Sequence, residues 1–598
     1  MPKDQKKLMP INYTHREFAS IRDDLIQIAE RFYPDTFQDF SEASFASMMV
    51  DAVAYVGDQL SFYLDYNVNE AFLDTAYQYT NVVRHGRTLG YKTQGRPSTY
   101  GEVSLFILVP ASATGIGPDS DYLPVLRRGS TFSSNTGLSF VLISNVDFAN
   151  PRNFTVAARI DETTGAPTHY AVRAYGNIVS GNFDQETVTV NDYERFLRVN
   201  LTADNVAEII SVFDAQGKQY YEVEYLAQDM VFKEIVNSNY KNDNVPALVK
   251  PFLVSRKFTV EFFNDRVALQ FGSGKATESN VVANPQNIAA DVFGKKYITD
   301  STFDPTRISK NETFGIVPAN TTLIVTYRTT NPLNSNVAAG GVSQVATPVF
   351  EFKNEQKLTA ATIQEIVQSL EALNAEPISG DVTFPSSGEV KRRIFDTFPT
   401  QNRAVTQADY ENVSYRMPSK YGAVKRVSAQ RDANSQKRNI NLYVLSEDTN
   451  GKLITANSTI KNNLKTWINN YRMINDTVDI LDPYIINFGI QFVVKAKEMA
   501  DKYSTLDACV GALGQHYAEI GFIGEPLYVS DVYQVLKDVE NVLDVLKVKI
   551  VSKTGGEYST AALNISSNMS ADGSYLIVPK NAIIELKFPA VDIVGKVK

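Results

Sequence analysis

The stretch from about Glu42 to Tyr66 constrains this chain more than any other. Its apolar residues recur at helical spacing without forming one stripe. Phe45, Met49, Ala52, Val56 and Leu60 make one face, while Met48, Tyr55, Phe62 and Tyr66 make another. A helix apolar on two faces has to be covered on both. At about 1.5 Å per residue it is roughly 36 Å long, and flanking helices of the same chain can cover some of that area. One flanking helix precedes it. Thr14-His15-Arg16-Glu17 has capping-box spacing, Phe18, Ile21, Leu25, Ile28 and Phe32 follow at intervals of three and four, and Pro34 stops the run. A third helix is expected from Asn69 to Leu89, carrying Phe72, Leu73, Ala76, Tyr79 and Val83, with Gly90 placed to end it. Two readings follow: a self-contained three-helix domain, or helices that complete a bundle with other chains.

From about Gly95 the pattern changes to period two. Val103, Leu105, Ile107 and Val109 alternate before Pro110. Phe258, Val260 and Phe262 alternate up to Asn264-Asp265, and Val267, Leu269 and Phe271 return as the second arm of a hairpin. Tyr221, Val223 and Tyr225 follow a Gln216-Gly217 turn. After residue 350 helices and strands mix. Thr362 to Glu365 has capping-box spacing, Thr406 to Asp409 opens a helix bearing Tyr410 and Val413, and Ser530 is placed to cap a short helix. Ile486, Phe488, Ile490, Phe492, Val494 and Ala496 make the cleanest strand, and Tyr503, Leu506, Val510, Leu513 and Tyr517 a helical seam. The β-α-α-β order here predicts an open α+β sandwich with helices on one face.

The chain has 598 residues, which suggests roughly four domains at about 150 each. The expected fold is multidomain α+β: residues 1–95 N-terminal helices, 96–350 a β-rich middle of one or two subdomains, 351–480 an α+β domain, and 481–598 a C-terminal α+β domain. No apolar run is long enough to predict a spanning helix, and the polar, aromatic start predicts no signal peptide. The net charge of -9 disfavours nucleic acid as a partner.

The residues give little support to catalysis. Four histidines, His15, His85, His169 and His516, are scattered, and the single cysteine, Cys509, excludes an internal disulfide and a multi-cysteine zinc site. Gly272-Ser273-Gly274-Lys275 lacks both the earlier glycine and the following Ser or Thr of a phosphate loop, since Leu269 and Ala276 stand there. Cys509 and His516 lie two helical turns apart, about 10 Å, too far for proton transfer. Lys391-Arg392-Arg393 reads as a solvated loop or an inter-subunit salt bridge. By contrast, 31 Tyr and 33 Phe suit large sheet faces and protein interfaces. The expectation is a non-enzymatic protein with no cofactor and no metal.

A family resemblance sharpens this. The run Asp51-Ala52-Val53-Ala54-Tyr55-Val56-Gly57-Asp58-Gln59-Leu60-Ser61-Phe62-Tyr63 continues through Asn69-Glu70-Ala71-Phe72-Leu73-Asp74-Thr75-Ala76 to Leu89-Gly90-Tyr91. Gly129-Ser130-Thr131-Phe132, Tyr221 to Asp229, Leu269 to Gly274, Arg403 to Tyr410, Asp476 to Asp482 and Ile523 to Leu527 follow in order. Together these resemble baseplate wedge proteins of contractile-tailed phages, the baseplate J-like family in its T-even-type branch. The resemblance implies a virion protein of the tail baseplate, assembled in the host cytoplasm. It implies a structural subunit that pairs with itself through its C-terminal region and joins a ring around the central hub and spike. Its N-terminal helices would bundle with a larger wedge chain, to which small sheath-proximal subunits attach, with indirect links to hub and sheath. Phe45, Met48, Met49, Tyr55, Phe62, Tyr66 and Phe72 are then the candidate interface residues. Such a ring needs hinges, expected near Tyr91–Tyr100 and Met473–Pro483. The alternatives are a tail adhesion or receptor-binding protein, and a tail-associated glycan-degrading enzyme with paired carboxylates.

Overall fold

Two helices pair antiparallel near the start of the chain: α1, Phe18–Phe32, and α2, Phe45–Glu70. Arg22 meets Asp51 at 2.6 Å and Arg16 meets Asp65 at 2.5 Å. Between these ion pairs Gly57 lets the helices approach closely, since a Cβ there would lie 3.3 Å from Ile21 Cδ1. Ser44 caps α2, its hydroxyl accepting the Ser47 N–H at 3.1 Å. The computed structural model describes residues 16–33, 41, 44–92, 94–237, 247–263, 266–275, 314–331, 334–353, 355–432, 439–497 and 501–598. The expected cap Thr14, the stop at Pro34, the start at Glu42 and the Asn264-Asp265 turn lie outside them.

The expected helix Asn69–Leu89 is divided. Helix α2 runs on to Glu70, and α3 spans Tyr79–Thr88. The reason is local. The buried Glu70 carboxylate accepts the N–H groups of Tyr77 (2.8 Å) and Gln78 (3.1 Å) and the Asn81 side-chain amide (2.8 Å), which fixes a turn and supplies α3 with a cap from outside its own sequence. Gly90, at φ +86°, does end α3, and the Tyr91 N–H returns to the Gly86 carbonyl. Helix α3 then packs on a helix from far along the chain, Ser387–Thr400, through Ala76, Val82, Tyr91, Val390 and Ile394. Lys391-Arg392-Arg393 therefore lies on a helix, not a loop. Arg393 pairs with Glu389 one turn earlier at 2.5 Å, and Lys391 donates to the Asp74 carbonyl at 2.8 Å. The first three helices do not close on one another, so they are not a self-contained bundle. They and this returning helix form one compact unit, Met1–Lys92 with Pro385–Pro399.

The second unit, Thr93–Phe384 with Thr400–Lys598, is β-rich and mixed α+β. Its first sheet runs in the order Val342–Thr347, Thr131–Ser134, Ser139–Leu142, Pro167–Ser180, Tyr100–Pro110, Glu371–Leu373, with Phe154–Ile160 also on Pro167–Ser180. All of its pairings are antiparallel. Val103, Leu105, Ile107 and Val109 enter its core, as their alternation predicts, and Ile366 packs there from the helix Ala360–Gln368. That helix starts two residues before Thr362, with Thr359 at its N-cap position and no side-chain cap, so Thr362 lies inside the helix and does not open it. The sheet takes strands from either side of residue 350.

A second seven-stranded sheet holds the hairpin Lys257–Phe263 and Arg266–Phe271, with Val260 opposite Leu269. Arg328, fully buried in this sheet, donates to the Ser180 carbonyl of the first at 2.7 Å and to Ser98 at 3.0 Å, with Glu208 at 3.3 Å. A four-stranded sheet follows, around Asn439–Glu447. The helix Gln407–Tyr415 opens where the sequence places it, and a reciprocal Thr406–Asp409 capping box holds its start. The segment Met473–Pro483 is tied down. Thr477–Leu481 is a strand parallel to Asn439–Tyr443, and Asp476 accepts the buried Tyr410 hydroxyl at 2.8 Å, so a hinge there is not what the structure provides.

In the last sheet Tyr484–Ala496 lies between Val542–Lys553 and the parallel strands Ala582–Glu585 and Ile593–Val597. Phe488, Ile490, Phe492 and Val494 share a core with Cys509 and Leu513 of the helix Lys502–His516 and with Val532 and Leu536 of Val529–Lys537. Tyr503 is exposed and outside the seam assigned to it. Ser530 is not a cap; the helix starts at Val529, whose N–H goes to the Ser574 carbonyl.

Candidate functional site

The candidate site is the surface of α2. One helix, α1, lies along it, and α3 turns away to the returning helix, so α2 leaves most of its apolar residues uncovered within its own unit. Its only buried residues are Ser47, Ala54 and Glu70. Phe45 is 73% exposed and Phe62 65%, and Met48, Met49, Tyr55 and Phe72 are exposed as well. Tyr66 is half-buried and stacks on Phe62 with ring centroids 6.2 Å apart. The Gln59 side-chain amide donates to the Tyr55 hydroxyl at 2.7 Å, which steadies that ring on the surface. Six of the seven sequence-assigned residues thus lie along α2, while Phe72 sits in the turn after it.

The surface is larger than the two faces assigned from spacing. Val53, Tyr63, Leu64 and Val68 are also exposed, so α2 is apolar around most of its circumference. Phe395 and Phe398, three apart on the returning helix, are exposed in the same unit. Their spacing is readable in the sequence, but only the fold places that helix with α3. Fully burying one Phe, Leu or Met side chain is worth about 1.5–3 kcal/mol. Large exposed apolar surfaces are, as a class, enriched at sites of interaction with other molecules.

Three of the groups weighed for chemistry in the sequence have structural surroundings of their own. His85 Nε2 lies 2.8 Å from the Glu70 carbonyl at the end of α2, a structural contact. Cys509 is buried, and burial pushes its thiol up to about 11. In the Gly272–Lys275 turn the Gly274 N–H goes to the Gly315 carbonyl at 2.9 Å, and Lys275 Nζ sits 4.8 Å from the centre of the Tyr193 ring, so the loop closes on its own chain. Among the described residues no cluster of three His, Cys, Asp or Glu could hold a metal ion, and no helix is long and apolar enough to cross a membrane.

The segment that carries the exposed surface has a known counterpart. Residues 15–88 match the family of the bacteriophage baseplate protein, N-terminal domain. This match spans α1 to α3 and supports a baseplate protein with a structural role. No curated protein matches the chain. Two solved structures align with it at 8% identity: one from the anti-feeding prophage baseplate, covering 94% of this chain and 90% of that one, and one from the type VI secretion system TssK-TssF-TssG baseplate subcomplex, covering 73% and 96%. With TM-scores of 0.24 for each, neither likeness carries an argument for this chain.

Proposed function

We propose that this chain is a non-enzymatic structural subunit of a contractile-tail baseplate wedge. It forms part of the ring around the central hub and spike, links wedges, and passes on the conformational change that releases the sheath. One observation carries the reading: within the segment matching the baseplate domain, a 26-residue helix presents apolar side chains on nearly every side with one helix beside it. Helices of a larger wedge chain would cover that surface, small sheath-proximal subunits would attach to the bundle, and the C-terminal region would make the self-contact that the sequence resemblance implies. A ring that holds one geometry at rest and another after attachment needs two packings of similar free energy.

Co-expression with candidate wedge subunits tests this. Phe45, Met49 and Phe62 are exposed, so replacing all three with Asp leaves the fold intact. The triple variant is expected to lose co-assembly, read by co-purification, while the second unit melts at its normal temperature. Complexes formed at unchanged yield would refute the bundle.

A further inference from the structure

Sheet edges are ordinarily guarded by charge, shortness or irregularity, because an open ladder invites another strand. Most edges here obey. Val542–Lys553 carries Lys547, Lys549 and Lys553, Asn182–Val190 carries Asp184 and Glu186, and Arg198–Asn200 and Glu371–Leu373 are three residues long. Phe154–Ile160 is irregular in register, but it is neither short nor left with an unanswered charge. It pairs with Pro167–Ser180 on one side and, among the described residues, with no strand on the other. All seven of its residues are exposed, Phe154 at 59% and Ile160 at 60%. Its one charge, Arg159, is answered within the chain by Glu365 at 2.9 Å. Arg173 lies 5.3 Å from the centre of the Phe154 ring and so holds that ring in place on the outer face.

We propose that this edge pairs antiparallel with the same strand of a second copy, about a two-fold axis at Ala157. The sequence is complementary to itself in that register. Phe154 meets Ile160 of the other copy, Thr155 meets Arg159, and Val156 meets Ala158. Just beyond each end of the ladder the exposed Arg152 meets the exposed Glu162, giving two opposite-charge contacts per dimer. A register shifted by one residue would set Arg152 against Asp161 and Phe154 against Arg159, losing the pairing of Phe154 with Ile160. The register of the strand against Pro167–Ser180 shifts between Ala157 and Arg159 and again between Arg159 and Ile160. The pairing does not depend on the baseplate reading, which concerns a different surface in the other unit.

Cysteine cross-linking of the full chain separates this contact from any other self-contact. Residues directly opposite across an antiparallel pair have Cβ atoms about 4.5–5.5 Å apart. With a short reagent carrying two thiol-reactive maleimides, Ala157→Cys is expected to give covalent dimer about tenfold faster than Thr155→Cys, whose mirror residue is Arg159. The buried Cys509 leaves the parent protein as a blank. In the Ala157→Cys background, Arg152→Glu or Glu162→Arg alone should slow cross-linking about tenfold, and the two together should restore it. Equal rates at positions 155 and 157, failure of the double reversal to restore the rate, or no dimer at all would overturn the proposal. None of these outcomes bears on wedge co-assembly.

Discussion

Glu585 carries an ionisable group into a buried seam. Its carboxylate accepts the Leu453 N–H and the Asn487 amide, at 2.8 and 2.9 Å, and so ties the last sheet to the strand Leu453–Thr455. Burial raises its affinity for a proton above that of an ordinary carboxylate, and the two hydrogen bonds only partly oppose this. The folded protein therefore binds that proton more tightly than the unfolded chain. The resulting stability is complete below the unfolded value and is lost as pH rises through the folded one. Glu585→Gln removes the dependence. The melting temperature of the variant minus that of the parent is expected to rise as pH increases above about 4. A flat or falling difference in calorimetry would contradict the assignment.

At the scale of elements, the first unit depends on one contact its own N-terminal sequence does not contain. Ile394 of the returning helix is fully buried against Val82 and Tyr91. Gly86 is what lets it in, since a Cβ there would lie 2.8 Å from Ile394 Cδ1. Ile394→Ala is expected to cost about 2–5 kcal/mol, concentrated in this unit. Hydrogen exchange should show it: the amides of α3 and of the Glu70-capped turn are predicted to exchange faster, while those of Tyr100–Pro110 keep their protection. Equal loosening of both would mean that the units do not unfold separately.

At the scale of the molecule, the chain divides where the first expected hinge lies. The boundary at Lys92 falls inside Tyr91–Tyr100, and the chain crosses between units again at Phe384 and Pro399. Under the proposed function, a change of geometry between resting and contracted tails is expected to concentrate at these three crossings and not within Met473–Pro483. Particle structures in both states would test this; rotation within 473–483, or none near residue 92, would count against it. The Phe45, Met49 and Phe62 triple variant belongs to the same scale, since it should abolish assembly without moving the second unit's transition.

Much of this was legible because periodicity depends only on neighbours in the chain. Val103 to Val109, Ile486 to Val494 and the two faces of α2 announce their apolar character through spacing alone, and the helix start at Thr406–Asp409 needs four residues. What spacing cannot contain is a partner supplied from elsewhere. The break between α2 and α3 came from a carboxylate reaching seven and eight residues on, the closing of the first unit from a helix some three hundred residues later, and the free edge at Phe154–Ile160 from the order of strands in a sheet. The sequence by itself determined which surfaces are apolar; the tertiary structure decided which of them the chain covers for itself, because coverage depends on long-range contacts that no local pattern records.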